Sequence, residues 1–177
     1  MQIRIDPCDH ERAAQATFLF ADLCGYTEYT CLYGDERATE LATAFHRLVR
    51  ELAAEAGCDV IKSIGDAVMV RATNCRVAVR LAHRILALSV RDGYPPVRIG
   101  LDTGPAIERD GDWYGTTVNA ASRVADAAAP GELLVTDRAS DAIRDAISDT
   151  ASIELVTRGI RQLKGLPASP VHAALAA

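Results

Sequence analysis

A tight turn between two strand-like segments, at Ile64-Gly65-Asp66, constrains the fold more than any other feature of this sequence. The flanking segments, 58–63 and 67–71, contain β-branched residues, and a Gly-Asp turn between such runs predicts a β-hairpin. A hairpin pairs its strands antiparallel, so the chain cannot form an all-parallel, doubly wound sheet. The sequence therefore predicts a sheet that is at least partly antiparallel.

The other segments alternate between strand-like and helix-like patterns. A short apolar run at 16–21 that ends at Asp22 is typical of a strand buried on both faces, and apolar residues at helical spacing predict a helix at 35–56. Similar patterns predict helices around 77–88, at 117–128 and at 138–147, strands at 97–102 and 133–136, a turn-rich stretch at 103–116, and weaker strands at 153–156, around 161–163 and at 171–175.

The order of these elements limits the architecture. A β-α-β-β-α-β series followed by a further helix and strands predicts an α/β (α+β) fold. The simplest fold of this kind has a ferredoxin-like βαββαβ core with a mostly antiparallel sheet and helices that cover one face. The last helix and strands are appended to this core. We expect one domain at 16–177 after a polar lead-in at 1–15, because the chain has no internal repeat and no linker.

Composition and charge argue against several classes of function. Nineteen basic and twenty-four acidic residues give a net charge of −5, and an acidic chain is a poor candidate for binding nucleic acid, which requires neutralised phosphates. No stretch approaches the ~20 apolar residues that span a bilayer, and the N-terminus lacks a signal-peptide pattern. Five cysteines without a C-x-x-C pair predict free thiols in a reducing compartment. We expect a cytoplasmic protein that binds neither nucleic acid nor membrane.

Two aspartates stand at the ends of predicted strands. Asp22 closes the apolar run, and Asp66 lies at the tip of the hairpin. A carboxylate at the end of a buried strand is costly unless it is solvated or coordinated, and two such carboxylates together would bind a hard divalent cation. The Gly25-Tyr26-Thr27 turn that follows Asp22 could present backbone N–H groups to phosphate oxygens. The alternative is that Asp22 caps a turn and that Asp66 is an ordinary hairpin residue.

Asn119 and Arg123 lie four residues apart in a predicted helix, so they share one face. The opposite side, which we expect to pack against the sheet, carries Val118, Ala121 and Ala125. An arginine held in this way offers a fixed fork to a phosphate, and the asparagine is a neighbouring hydrogen-bond partner. The alternative is a polar face exposed to solvent.

Three further charged residues carry less information alone. Lys62 lies in the hairpin, Asp112 in the turn-rich stretch, and Lys164 in the segment Leu163-Lys164-Gly165. A lysine donor and an aspartate acceptor match the hydrogen-bonding edge of adenine, to a ring nitrogen and to the exocyclic amine respectively. Read on its own, each residue is more simply explained as surface charge.

Taken together, these segments resemble the class III nucleotidyl cyclase catalytic domain of the compact bacterial type. The resemblance covers roughly residues 16–175 and rests on five motifs in order. These are 20–27 (FADLCGYT), 62–66 (KSIGD), 98–104 (RIGLDTG), 111–123 (GDWYGTTVNAASR) and 163–165 (LKG). Two positions depart from the family pattern, because Asp102 falls where a histidine is common and Cys24 lies in the phosphate loop.

The resemblance implies an adenylate cyclase, which converts ATP to 3′,5′-cyclic AMP and pyrophosphate with two divalent cations, Mg²⁺ or Mn²⁺. In that reaction the ribose 3′-hydroxyl attacks the α-phosphate in line. Each matching position then has an implied role: metal binding by Asp22, Asp66 and the Leu23 carbonyl, phosphate binding by Gly25, Tyr26 and Thr27, adenine recognition by Lys62 and Asp112, ribose positioning by Asn119, transition-state stabilisation by Arg123, and triphosphate binding by Lys164.

The resemblance also implies a head-to-tail homodimer with two shared sites, in which one subunit supplies the metal aspartates and the other supplies the base-reading, ribose and arginine residues. A guanylate cyclase is the closest alternative, although such enzymes typically carry a glutamate at the position of Lys62. A non-catalytic nucleotide-binding or dimerisation module is a second, and it would be expected to have lost a catalytic residue. A different two-metal enzyme, such as a polymerase palm or diguanylate cyclase, would lack the Asn-x-x-x-Arg helix. The sequence identifies no regulatory domain or activator.

Overall fold

The computed structural model describes residues 14–146 and 153–176, which form an eight-stranded sheet and its covering helices. The strands are β1 (Ala14–Leu23), β2 (Asp59–Ile64), β3 (Ala67–Ala72), β4 (Val97–Arg109), β5 (Asp112–Tyr114), β6 (Leu133–Thr136), β7 (Ile153–Arg161) and β8 (Ser169–Ala176). The helices are α1 (Tyr26–Tyr33), α2 (Asp35–Glu55), α3 (Cys75–Arg91), α4 (Thr116–Ala127) and α5 (Asp137–Ala146).

The predicted hairpin, β2–β3, forms one edge of the sheet. The strand order is β2-β3-β1-β4-β6-β8-β7, and β5 pairs with β4 outside this series. All pairs are antiparallel except β4 with β6. The first four strands, in the order β2-β3-β1-β4 and joined through α2 and α3, form the ferredoxin-like core, and the later elements extend it. The predicted fold class is confirmed.

The first strand is buried on both faces, and this determines where the helices lie. Leu19 and Leu23 belong to the main core, which includes residues of α2, α3 and α5. Phe18 and Phe20 lie in a second cluster, together with residues of α4. The expectation that the helices cover one face is therefore wrong for α4, because a strand without a polar side needs cover on both sides.

Helix α4 approaches β4 closely at Gly100. A Cβ at Gly100 would lie 2.0 Å from the backbone N of Ala125 and 2.4 Å from the carbonyl O of Ala121. Val118, Ala121 and Ala125 are all buried in this contact, and this confirms the predicted apolar face of the helix. A larger residue at position 100 would push α4 away from the sheet.

Two parts of the predicted secondary structure are wrong. Helix α1 was not predicted, because none of its residues is buried and the segment therefore has no apolar periodicity. The stretch at 103–116 is mostly strand: β4 continues to Arg109 and returns through β5. The turn between them is Asp110-Gly111, where both φ angles are positive, at 54° and 79°, as a two-residue hairpin turn requires.

Smaller differences concern the ends of elements. Strand β1 begins at Ala14, within the predicted lead-in, and β7 ends at Arg161, so no strand covers 162–163. Residues 1–13 of the predicted lead-in, which include Cys8, lie outside the described residues. Residue 147 of the last predicted helix lies outside them as well. The four cysteines in the described ranges are free thiols, of which Cys31 is exposed. Within those ranges, every helix is too short or too polar to cross a bilayer.

Candidate active site

Asp22 and Asp66 lie together at one end of the sheet. Strand β1 pairs with β3 in the register Ala21↔Val68, so the end of β1 lies beside the β2–β3 turn that carries Asp66. Burial, the largest cause, and the nearby Asp22 carboxylate raise the pKa of Asp66 to about 6, although hydrogen bonding from the backbone at Asp66 and Leu23 acts in the opposite direction. The predicted carboxylate pair is therefore present, and its two members repel each other.

Arg98 holds one of these carboxylates. It faces Asp22 in the register of β1 with β4, and its Nε and Nη2 both donate to Asp22 Oδ2, at 2.8 and 2.6 Å. Because both donors bind one oxygen, Oδ1 lies outside this contact. Sequence reasoning gave Arg98 no role, since only the β1–β4 register reveals that it faces Asp22.

The donor set fits a hard divalent cation. It consists of two carboxylates whose mutual repulsion a cation would relieve. The described residues contain no group of three or more His, Cys, Asp or Glu side chains arranged to hold a metal. A cation here would therefore complete its coordination with water or with phosphate oxygens, as Mg²⁺ commonly does.

The segment Gly25-Tyr26-Thr27 begins a helix rather than a simple turn. Gly25 precedes α1 with φ 75°, a left-handed conformation that favours glycine, and no side chain caps the helix. Gly25 and Thr27 are exposed. The first N–H groups of a helix are free to bind an anion, so this segment presents donors next to the carboxylate pair.

Asn119 and Arg123 project from the outer face of α4, as predicted. Asn119 is exposed, and the Arg123 side chain is 40% exposed. Arg123 Nη1 donates to Asp126 Oδ2 at 3.2 Å, one turn further along the helix. The Asp126 carbonyl O accepts from Arg98 Nη1 at 3.3 Å. Asp126 therefore links the arginine of α4 to the arginine that holds Asp22, and no pattern in the sequence indicates this link.

Lys62 and Asp112 form an ion pair, although fifty residues separate them. Lys62 Nζ donates to Asp112 Oδ2 at 2.5 Å, and this hydrogen bond is the main cause that lowers the pKa of Asp112. The Tyr114 ring centroid lies 6.0 Å from Lys62 Nζ. Lys164 is exposed in the segment between β7 and β8, and no other described residue hydrogen-bonds or pairs with it. The structure therefore brings Lys62 and Asp112 together and leaves Lys164 apart.

The sequence matches the family described as the adenylate and guanylate cyclase catalytic domain over residues 8–173. The chain belongs to this family. A pH-sensitive adenylate cyclase of Mycobacterium tuberculosis is 36% identical over 158 residues, which cover 87% of this chain and 38% of the relative. An adenylate cyclase of Streptomyces griseus is 35% identical over 117 residues, which cover 66% of this chain and 29% of the relative. The cyclase domain thus spans less than half the length of these relatives.

Solved structures of cyclase domains share the fold. An adenylate/guanylate cyclase/hydrolase from Silicibacter pomeroyi superimposes with a TM-score of 0.78 at 24% identity, over 94% of this chain and 99% of that one. The adenylyl cyclase CyaB from P. aeruginosa has a TM-score of 0.74 at 21% identity, over 92% and 94% of the two chains. The sequence-based assignment to the cyclase family is confirmed.

Proposed function

We propose that this cyclase domain converts ATP to 3′,5′-cyclic AMP and pyrophosphate. The observation that carries the proposal is the pair Asp22 and Asp66, which meets at the sheet end beside the free N–H groups of α1. This arrangement of carboxylates and anion-binding donors suits a nucleoside triphosphate with its cations. The named relatives that match most of the chain support the same activity.

The carboxylate pair would hold the cations of the substrate. Asp22 and Asp66, with the Leu23 carbonyl, would bind two divalent cations, Mg²⁺ or Mn²⁺, which neutralise the triphosphate and lower the pKa of the ribose 3′-hydroxyl. Arg98 would keep Asp22 oriented through Oδ2. The N–H groups at Gly25, Tyr26 and Thr27 would bind phosphate oxygens.

The ion pair Lys62–Asp112 would read adenine. Lys62 would donate to a ring nitrogen, and Asp112 would accept from the exocyclic amine. Their mutual contact of 2.5 Å keeps both groups oriented before the base arrives, so little ordering is left for binding to perform. Guanine presents O6 and N1–H in place of these groups and would leave the pair mismatched.

The helix α4 would stabilise the transition state. Asn119 would orient the ribose so that the 3′-oxygen attacks the α-phosphorus in line. The 3′-oxygen forms a bond to the α-phosphorus, the bond from that phosphorus to the oxygen bridging to the β-phosphate breaks, the hydroxyl proton passes to a phosphate oxygen of the substrate, and pyrophosphate leaves. Arg123 would meet the charge that grows on the phosphoryl oxygens and the leaving group, where a fixed cation is most effective. Lys164 would hold the departing phosphates.

Two copies of the chain would share each site, head to tail. Ile64 and Tyr114 are large side chains that are each 53% exposed, and they stand two residues from Asp66 and Asp112 respectively. Exposed apolar groups beside site residues favour burial against a second copy. A homodimer of this type would have two equivalent sites.

The direct test measures cyclic nucleotide formed from ATP and, separately, from GTP, with Mn²⁺ or Mg²⁺ at high protein concentration. We expect cyclic AMP from ATP, no product from Asp66→Ala, and a loss of about 10²–10³ in kcat for Arg123→Ala. Asp59→Ala is the matched control, because Asp59 is an exposed aspartate of the same hairpin, paired with Arg71, and it should leave turnover unchanged.

Other outcomes would overturn parts of the proposal. Predominant cyclic GMP would retain the reaction and contradict the role of Lys62 and Asp112. A folded dimer that binds ATP but forms no product would favour the non-catalytic nucleotide-binding module.

A further inference from the structure

Asp102, one of the two residues that depart from the family pattern, is a fully buried carboxylate in β4. Four donors satisfy it. The backbone N–H of Thr103 donates to Oδ1 at 2.8 Å, and the Thr136 hydroxyl donates to the same oxygen at 2.5 Å. Arg138 donates through Nε to Oδ1 at 3.3 Å and through Nη2 to Oδ2. A buried charge is tolerated only with such a complete set of partners.

The same arginine reaches the start of α4. Arg138 Nη2 lies 3.4 Å from the hydroxyl of Thr117, and that hydroxyl donates to the Pro105 carbonyl O at 2.7 Å. Thr117 is fully buried and lies two residues before Asn119. The space for the guanidinium depends on Gly104, where a Cβ would lie 2.7 Å from Arg138 Cζ. The hydrogen-bonded set therefore joins β4, β6, α5 and the first turn of α4.

Two kinds of contact thus fix α4, and they restrain different motions. The close approach at Gly100 sets the distance between helix and sheet, but packing of small residues is non-directional and allows a helix to turn or slide. The hydrogen bonds of Thr117 are directional. They determine how α4 is rotated about its axis, and hence where the side chains of its outer face point.

We propose that Asp102 and Arg138 are positioning residues that set the orientation of Asn119 and Arg123 through Thr117. The inference rests on the proposed function for the roles of those two side chains. Loss of the link leaves the carboxylate pair and the base-reading pair intact, so it lowers kcat and leaves KM for ATP nearly unchanged. A misplacement near 1 Å can cost up to about a hundredfold in rate, and we expect a fall in kcat of about tenfold or more.

The first experiment compares Thr117→Val with Thr103→Val. Both variants remove one threonine hydroxyl near the same strand, but the Thr103 hydroxyl contacts Thr17 and the Ala16 carbonyl and has no link to α4. We expect Thr117→Val to lower kcat about tenfold at constant KM, and Thr103→Val to keep wild-type kcat. Equal kcat in the two variants would overturn the proposal.

The second experiment separates positioning from simple stabilisation. Arg138→Met leaves a buried charge unpaired and should lower both Tm and kcat, whereas the double variant Asp102→Asn/Arg138→Met removes that charge and should recover much of the Tm. Positioning requires that kcat of the double variant stay low. Recovery of kcat together with Tm would show a purely structural pair and would overturn the proposal.

Hydrogen exchange of the α4 amides gives a readout independent of turnover. We expect faster exchange at 116–123 in Thr117→Val than in Thr103→Val, and equal exchange would contradict the inference. If the wild-type chain forms no cyclic nucleotide, the proposed function fails, and this comparison still tests whether the link orients α4.

Discussion

The two halves of the proposed site differ in how firmly the fold holds their side chains. Asp22 and Asp66 are half-buried where β1 meets the β2–β3 turn, and Arg98 and the Leu23 N–H already bind them. In contrast, Arg123 projects from α4 with one exposed partner in its own helix, and an ion pair of this kind contributes little free energy. The sheet register fixes the first half, whereas the second half remains available to a ligand or to another subunit.

The difference has a physical cause. Two carboxylates that repel each other stay together only where strand pairing forces them to. The half of the site that contains Asp22 and Asp66, here called the metal half, must therefore be rigid before any cation arrives. An arginine that acts on charge developing in a transition state must reach a phosphate that is absent beforehand. A half-exposed side chain on a firmly packed helix satisfies this requirement, provided that another subunit completes the site.

The largest effect tests this division directly. Asp66→Ala should be inactive and Arg123→Ala should keep about one hundredth of wild-type kcat or less, yet an equal mixture should regain activity, because the mixed dimer has one site in which both halves are intact. With random exchange, half of the dimers are mixed and each has one good site, so recovery should reach about a quarter of wild type. Cyclic AMP formation after mixing measures it.

A matched mixture provides the control. Asp22→Ala with Asp66→Ala damages the same half in both subunits, so no site is intact and no activity should return. If native mass spectrometry detects mixed dimers but the first mixture forms no cyclic AMP, one chain supplies both halves of each site. The two halves would then not belong to different subunits.

The next effect concerns the base-reading pair, which lies in the same half of the site as Arg123 but, like the carboxylates, is already held in place by an ion pair. Lys62→Glu places a second carboxylate against Asp112, so we expect kcat/KM for ATP to fall about tenfold to a hundredfold and the preference over GTP to shrink. Arg84→Glu reverses a charge in an exposed ion pair with Glu55 and should change neither value. An unchanged ATP preference in Lys62→Glu would mean that other groups read the base.

The sequence predicts the parts of the site that local patterns encode and misses those that depend on tertiary contacts. The Gly-Asp turn predicts the hairpin and the i, i+4 spacing predicts the outer face of α4, because both are local patterns that packing respects. The role of Arg98 required the β1–β4 register, and the surroundings of Asp102 required four elements to meet, so neither could be derived from spacing. Helix α1 has no buried residue and therefore no apolar pattern, although it supplies the donors next to Asp22.

The repulsion within the metal half predicts a pH-dependent stability. Folding raises the pKa of Asp66 to about 6, so the folded chain binds more protons than the unfolded chain between about pH 4 and 6. Its free energy of unfolding therefore decreases as pH rises through this window. Without metal, Asp66→Asn should have a higher Tm than wild type at pH 8 and an equal Tm below about pH 4.

The control for this effect is Asp59→Asn, which changes an exposed carboxylate of the same hairpin and should not alter the pH dependence. A Tm at pH 8 that is lower for Asp66→Asn than for wild type would show that the contacts of the Asp66 carboxylate with its other partners outweigh its repulsion by Asp22. The carboxylate pair would then not destabilise the fold.

The smallest effect tests how loosely Arg123 is held. Asp126→Asn removes the carboxylate that pairs with Arg123 and that also lies 4.0 Å from Arg98 Nη2, but it keeps the backbone carbonyl that accepts from Arg98. Since an exposed pair is worth at most about 1 kcal/mol, kcat should rise by about twofold and by no more than about fivefold. Asp141→Asn is the control, because Asp141 forms the same i,i+3 pair with Arg144 on α5 at 3.1 Å. A fall in kcat for Asp126→Asn alone would mean that Asp126 aims Arg123 at the phosphate, and the α4 half would then be as preorganised as the carboxylate half.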